Sequence, residues 1–222
     1  MKAFISYSTK DKAHAASVKA VLDQLGIDGF LAHENIKVSE PWKKRILTEL
    51  RACKIFVPLL SRSFKRSNWC GQEVGLIVRR RGVLTIPLSL DGTNSYGFIE
   101  HLQTQKLPRG SAGEHLVLEA MAKQWPGFVI DKLLGAVKTA YSFRAGEAAV
   151  KPLVPFFPKF SKEQIRRFMQ LVVENGQVWD AHLCRDEYLP AFLKMHRDAI
   201  PKRLYRALKH QLKTHQFYRE AA

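Results

Sequence analysis

The stretch Ala3-Phe4-Ile5-Ser6-Tyr7 lies almost at the start of the chain, and the fold prediction begins from it. It is short and largely apolar, which is typical of a buried strand. A helix with an apolar face follows and is predicted to end at Gly26, since glycine is the residue that most readily closes a helix. The helical spacing is carried by Val18, Val21, Leu22 and Leu25. A strand followed by an amphipathic helix predicts the first unit of an alternating α/β fold.

The same alternation continues as far as residue 88. Further strands are predicted at residues 30–32, 55–60 and 83–88, and helical stripes begin at Trp42 and at Trp69. Pro58 falls inside the third strand and predicts an edge strand or an irregular strand end, because proline cannot donate to a sheet. The order β-α-β-α-β-α-β predicts a parallel sheet with helices on its faces.

The next segment is less regular. Glycines and prolines interrupt residues 91–126, where residues 115–123 fit either a short helix or a fifth strand. Residues 130–141 carry an apolar helical stripe and are expected to form the last helix of the sheet domain. We therefore place an α/β domain at residues 1–145.

The remainder of the chain has a different pattern. Three prolines in residues 151–158 predict a packed linker instead of a helix. Beyond it, Ser161 and Gln164 form a capping-box pattern, Asn175-Gly176 ends that helix, and further helices are expected over residues 188–196 and from Pro201. Residues 152–222 are thus predicted to be a small all-α domain.

Composition limits the class of protein. The 222 residues are 46% hydrophobic and 25% charged, which excludes a disordered chain. No run approaches the ~18 consecutive apolar residues of a membrane span, and the first residues lack the pattern of a signal peptide. The three cysteines stand far apart, which favours neither disulfides nor a zinc site. We expect a soluble, cytoplasmic protein that does not bind a membrane.

The chain is strongly basic. Its formal net charge is +16, of which residues 1–145 carry +10 and residues 146–222 carry +6. Such charge favours polyanionic partners, either nucleic acid or a phosphate-rich small molecule, although a solvated basic surface explains it equally well.

Three loops are expected to converge at one edge of the sheet. In open parallel sheets, ligands bind beyond the carboxyl ends of the strands, which here are followed by residues 7–9, 33–42 and 61–69. The third loop leads into Trp69 and Glu73, whose i, i+4 spacing places them on one helix face. Spacing alone also fits an ordinary surface glutamate near a core tryptophan.

Several motifs in this half of the chain resemble the successive boxes of Toll/interleukin-1 receptor (TIR) domains. They are Phe4-Ile5-Ser6-Tyr7-Ser8, Phe30-Leu31-Ala32-His33-Glu34-Asn35-Ile36 and Phe56-Val57-Pro58-Leu59-Leu60-Ser61. In addition, the stretch from Ser67 to Glu73 is similar to the Trp-x-x-x-Glu segment of TIR domains that cleave NAD. The boxes occur in the family's order and at its spacing over roughly residues 1–140. Ala32-His33 stands where many members carry an acidic residue, which we interpret as a subgroup mark.

The resemblance implies a site and a substrate. Glu73 would be the catalytic glutamate, residues 33–42 the mobile BB loop, and NAD+ a substrate; neither a bound cofactor nor a metal is implied. The residues expected to line the NAD+ pocket are Tyr7, Ser8, Phe30, Trp42 and Trp69. Cys70 is an alternative nucleophile, but a small buried thiol is the favoured interpretation.

A single carboxylate is enough for this reaction. Nicotinamide in NAD+ is already cationic and leaves as a neutral molecule, so only the charge that develops on the ribose needs stabilising. Together with this chemistry, the resemblance to TIR domains implies an NAD+ glycohydrolase or cyclase of bacterial antiphage defence, controlled by self-association, with a nucleotide product that reaches an effector protein. The alternative is a non-catalytic TIR scaffold. For residues 152–222, docking or oligomerisation is favoured over nucleic-acid binding.

Overall fold

A computed structural model describes residues 1–31, 42–108, 110 and 113–220, with side chains as far as residue 213. All of the predicted BB loop except Trp42 therefore lies outside the described residues. The chain divides into two compact units, Met1–Gln124 and Trp125–Ala222.

The first unit contains a parallel six-stranded sheet. Its strand order is β2-β1-β3-β5-β6, and the short strand β4 also pairs with β3. The strands are β1 (Lys2–Ser6), β2 (Asp28–Leu31), β3 (Ile55–Leu60), β4 (Leu84–Thr85), β5 (Leu88–Ser89) and β6 (Gln105–Lys106). Each of the four strand pairs in this order, and the pair of β3 with β4, is parallel. The predicted α/β class is confirmed.

Helices connect these strands at the expected places. They are α1 (Lys12–Gln24), α2 (Trp42–Ala52), α3 (Arg62–Lys65), α4 (Asn68–Val78) and α5 (Glu114–Gln124). Gly26, directly after the residue that caps α1, has a φ of 70°, a left-handed conformation that glycine adopts without strain. The hydroxyls of Ser61 and Ser67 cap α3 and α4 by accepting from backbone N–H groups of their first turns. Residues 115–123 belong to α5, so the helical alternative for that segment is the correct one.

The prediction that Pro58 marks an edge or an irregular end is wrong, because β3 is the central strand. β4 pairs with Ile55–Phe56 and β5 with Leu59–Leu60, while Pro58 stands opposite Ser6 of β1. The backbone N–H groups of Ile86 and Leu90 donate to the carbonyls of Phe56 and Leu60, so these two residues direct their backbone groups toward β4 and β5. Pro58 lies two residues from each of them, and its backbone nitrogen therefore points to the same side, at the interruption between the two short strands. Its missing N–H therefore costs no ladder hydrogen bond.

A cluster rich in aromatic residues forms part of the core of this unit. The Phe4 ring lies 5.4 Å from that of Phe30 and 6.0 Å from that of Phe56, centroid to centroid. Apolar residues of α2 and α4, such as Ile46 and Val74, belong to the same cluster. The cluster holds α4, the helix of the candidate catalytic residue, against the sheet.

The second unit is helical. It contains α6 (Pro126–Thr139), α7 (Phe143–Val150), a 3₁₀ segment (Lys151–Lys159), α8 (Lys162–Glu174), α9 (Gly176–Trp179), a π segment (Cys184–Tyr188), α10 (Leu189–Met195) and α11 (Lys202–Glu220). The capping box of Ser161 and Gln164 is present at the start of α8. Asn175 follows the last residue of α8 and caps α9. Within the described ranges, none of the helices is long and apolar enough to span a membrane.

The boundary between the units lies earlier than the predicted 145–152. Ile130, Leu134 and Val137 of α6 share one core with Phe157 and Phe168, and α6 contacts α8. An apolar stripe shows that a helix packs against something, but it does not specify the partner. The helix expected to complete the sheet domain therefore belongs to the second unit.

The proline-rich segment also differs from its prediction. Residues 151–159 form a 3₁₀ helix, and Leu153 and Phe157 are buried in the helical core. Pro155 and Pro158 lack the backbone N–H that an α-helix would use at those positions, and the segment adopts the 3₁₀ conformation, which occurs in short pieces. Tyr141, expected on the α6 stripe, lies beyond the end of that helix and is 87% exposed.

Candidate active site

The carboxyl end of β1 and the helix α4 bring together the residues of the candidate site. Ser6 is the last residue of β1, and the chain after β3 leads through α3 to α4, which carries Trp69, Cys70 and Glu73. This is the edge of the sheet at which parallel α/β folds bind their ligands.

Glu73 is the central group of this site. Its side chain is almost wholly buried, with a relative exposure of 3%, and the Ser6 hydroxyl donates to its Oε2 at 2.5 Å. Burial raises the pKa of Glu73 to about 7, because a charged carboxylate is poorly solvated there, while the Ser6 hydrogen bond acts in the opposite direction. The fold thus holds a carboxyl group that exchanges its proton near neutral pH.

Ser6 itself was not among the predicted site residues. It is fully buried and lies one position before Tyr7, the first residue that was predicted there. The sequence did carry a signal, since a polar residue at the carboxyl end of an otherwise apolar strand points to this edge of the sheet. Only the tertiary structure shows that its partner is Glu73, 67 positions later.

A second buried glutamate in the same unit shows how Glu73 differs. Glu49 is 5% exposed and forms ion pairs with Lys2 and Arg45, each at 3.0 Å. Across residues 1–31 and 42–108, by contrast, no cation forms an ion pair with Glu73. A buried carboxylate without a counter-ion is costly for stability, and such groups are concentrated at functional sites.

Trp42 and Trp69 are brought together, as their shared assignment to the pocket requires. Their rings lie edge to face with centroids 4.4 Å apart, and the two residues are 40% and 38% exposed. The Lys43 ammonium lies 5.6 Å from one ring centroid and 5.9 Å from the other. Two half-exposed indoles at the start of α2 and α4 offer a surface on which a flat heteroaromatic ring can stack.

The other predicted pocket residues are buried. Tyr7 is 1% exposed, Ser8 is 9% exposed, and Phe30 is 7% exposed. Phe30 packs against Phe4 in the core, and its ring lies 5.7 Å from the Arg45 guanidinium carbon. Phe30 is thus a core aromatic residue, and contact of these three residues with a ligand stays a prediction.

Cys70 is a buried thiol, as predicted. It is 1% exposed, and burial raises its pKa to about 11, so the nucleophilic thiolate is disfavoured at neutral pH. Nearby, the Ser61 hydroxyl donates to Asp11 at 2.6 Å and accepts from the backbone N–H of Phe64. Among the described residues, no group of three His, Cys, Asp or Glu side chains is placed to hold a metal ion.

Comparison with known proteins identifies the family. The family model described as TIR domain matches residues 3–117, which is more than half of the chain. The chain therefore belongs to the TIR domain family, and the matched residues lie within the first unit. A search of the curated proteins found no match.

Proposed function

We propose that this protein cleaves the nicotinamide–ribose bond of NAD+, as a glycohydrolase or a cyclase, with Glu73 as its catalytic carboxylate. The observation that carries the proposal is the state of Glu73: it is buried, it accepts a hydrogen bond from Ser6, and it forms no ion pair with a cation of the described residues. It lies one helical turn after Trp69, in a domain of a family that includes NAD+-cleaving enzymes.

The chemistry needs little beyond this carboxylate. As the bond from ribose C1′ to the pyridinium nitrogen breaks, its electron pair neutralises the nitrogen, and positive charge develops on the ribose. A desolvated carboxylate that is not neutralised by a neighbour can stabilise that charge strongly. Addition of water to C1′ and loss of its proton give ADP-ribose, whereas attack by an adenine nitrogen gives a cyclic product.

The substitution Glu73→Gln tests the catalytic role. It preserves the side-chain volume and an oxygen that can accept from Ser6, but removes the charge. We expect nicotinamide release to fall by about 10²-fold or more, in line with the loss of a main electrostatic contribution. Chromatography of the products, resolved by mass spectrometry, measures the loss and distinguishes ADP-ribose from a cyclic product.

Glu49→Gln is the matched control. It removes another buried carboxylate from the same unit, one that is ion-paired with Lys2 and Arg45. We expect E49Q to lower stability but to retain turnover per folded molecule. Equal nicotinamide release by wild type and E73Q, under conditions in which the wild type is active, would contradict the catalytic proposal.

A scaffold without catalysis is the second candidate, and one observation favours it. Trp42, Trp69 and Leu76 are large apolar residues of α2 and α4 that are 38–44% exposed, as a protein-contact surface would be. If the protein is a scaffold, replacing these exposed apolar residues should abolish binding of its partner. The E73Q substitution should leave that binding unchanged. Nicotinamide release therefore separates the two candidates.

The proposed setting follows from the resemblance to bacterial TIR proteins. We propose that NAD+ cleavage serves antiphage defence signalling, that self-association through the TIR domain controls it, and that the nucleotide product acts on an effector protein. For the second unit we propose a role in assembly in preference to nucleic-acid binding. Binding to duplex DNA that falls steeply with added salt would support the nucleic-acid alternative.

A further inference from the structure

A basic cavity lies beyond the carboxyl ends of β3 and β5, at the same edge of the sheet as Glu73. Its volume is about 460 Å³. One wall comes from α3 and the residue after it, with Arg62, Lys65 and Arg66, and the other from residues 93–96, which follow β5. The cavity is thus built entirely from the first unit.

The three cations of this cavity are exposed, and none of the described residues that line it is acidic. Within the described part of the chain, none of the three forms an ion pair. The nearby Asp91 carboxylate instead accepts from the backbone N–H groups of Arg62 and Thr93, at 2.9 and 3.0 Å. Asp91 therefore ties the two walls together, and a hydrogen bond from the Thr93 side chain, together with the charge of the nearby Arg62, contributes to a lowered pKa of its carboxyl group. None of the three cations is neutralised by an ion pair with a described residue, so an anion can still bind them.

Tyr96 connects the cavity with the candidate active site. The Lys65 ammonium lies 5.5 Å from the centroid of the Tyr96 ring. Tyr96 also packs against the core cluster that contains Cys70, and the segment Gly97–Ile99 contacts α4. Cys70 precedes Glu73 by three positions on α4. The cavity therefore adjoins the helix that carries the carboxylate.

We propose that this cavity, lined by Arg62, Lys65, Arg66 and Tyr96, binds the pyrophosphate group of the dinucleotide substrate. The inference rests on the proposed function, because it assigns the anionic part of NAD+ to one place and the reacting ribose to another. Guanidinium groups form strong, charge-assisted hydrogen bonds with phosphate oxygens, and Asn94 and Ser95 add polar groups to the lining. None of these three cations forms an ion pair with Glu73. The negative charge of the Glu73 carboxylate is therefore not neutralised by them, as its proposed role requires.

The test compares two double variants of the full chain. Arg62→Gln with Arg66→Gln removes two cations of the cavity, and Arg79→Gln with Arg81→Gln removes two exposed cations at the end of α4, outside the lining. Isothermal titration calorimetry with ADP-ribose, which is not consumed, measures binding directly. We expect R62Q/R66Q to weaken ADP-ribose binding at least about tenfold, as two lost phosphate contacts imply. R79Q/R81Q should bind as the wild type does.

Nicotinamide riboside, which lacks phosphate, serves as the second probe. Its binding should be the same in both double variants and the wild type. In the turnover assay, R62Q/R66Q should raise KM for NAD+ and leave kcat nearly unchanged, because the contact is made equally before and during the reaction.

The outcomes separate this inference from the proposed function. Loss of ADP-ribose binding in R62Q/R66Q supports the pyrophosphate site even if the protein proves not to consume NAD+. Wild-type ADP-ribose binding and KM in R62Q/R66Q would overturn it while leaving catalysis by Glu73 intact. An equal loss in R79Q/R81Q, or no binding of ADP-ribose to the wild type, would also overturn it.

Discussion

Burial of the Glu73 carboxyl group lowers the stability of the folded protein whenever that group is ionised. Its carboxyl group is buried, its ordinary pKa is 4.5, and its pKa in the folded protein is about 7. The folded protein therefore binds the proton more tightly than the unfolded chain. The resulting contribution to the free energy of unfolding is fully present below pH 4.5 and is lost as the pH rises through about 7.

Glu73→Gln removes this pH dependence. We expect the variant to gain stability over the wild type as the pH rises, by up to about 3 kcal/mol at pH 8, which corresponds to the size of the pKa shift. Urea unfolding of both proteins at pH 5 and pH 8 measures the difference in the free energy of unfolding. Hydrogen exchange of the β1 amides at the same two pH values measures it independently. The exposed Glu100→Gln is the control and should show little change at either pH. A difference between wild type and E73Q that does not change with pH would mean that Glu73 is not buried as a titrating carboxyl group.

At the scale of elements, Gly146 determines how closely two helices of the second unit approach. A Cβ atom on Gly146 of α7 would lie 2.2 Å from the Gln177 carbonyl oxygen and 3.0 Å from the Val178 Cα of α9. These are backbone atoms, so they cannot rotate away as a side chain does. The glycine is required by contact with a neighbouring helix, since its own φ is not in the left-handed region.

Two Gly→Ala substitutions separate this contact from helix propensity. Gly146→Ala should lower the free energy of unfolding by about 1–3 kcal/mol, as overpacking does. Gly135→Ala, in α6, has no atom within 4 Å of the new methyl group and should raise stability by up to about 1 kcal/mol. Thermal and urea unfolding measure both. Stabilisation by G146A would show that α7 and α9 are farther apart than described.

At the scale of the whole molecule, the position of the boundary predicts where the chain can be divided. A fragment of residues 1–151 keeps α6 but loses α8, and so exposes Ile130, Leu134 and Val137. A fragment of residues 1–124 ends with the first unit. We expect the shorter fragment to unfold cooperatively and the longer one to bind a hydrophobic dye and aggregate. The reverse behaviour would support the boundary at 145–152.

The same fragment tests the proposed role of the second unit. If residues 125–222 promote assembly, the fragment 1–124 should self-associate less and turn over less NAD+ at equal concentration. Sedimentation velocity and nicotinamide release, followed over a range of protein concentrations, measure the two properties together. Full turnover by the fragment, strictly proportional to its concentration, would argue against control by assembly.

Local patterns in the sequence were sufficient for most of the first unit. Strands and helices place their apolar residues at different spacings, so the two kinds of element can be told apart in the sequence. Their regular alternation predicts the parallel sheet. The capping box at Ser161 and the buried state of Cys70 also depend on local residue types, and both predictions are confirmed. The TIR motifs that select Glu73 and the two tryptophans are likewise short and contiguous.

Tertiary structure decided what local patterns leave open, namely which surfaces face each other. It places Pro58 in the central strand at an interruption between β4 and β5, and it assigns α6 to the helical core. It also pairs Ser6 with Glu73 across 67 positions and groups the cations of α3 with residues 93–96. Apolar spacing shows which face of an element is buried, but its partner depends on packing of the whole chain. The sequence by itself therefore determined the fold class and the candidate carboxylate, whereas only the folded chain determined its burial, its hydrogen-bond partner and the cationic cavity beside it.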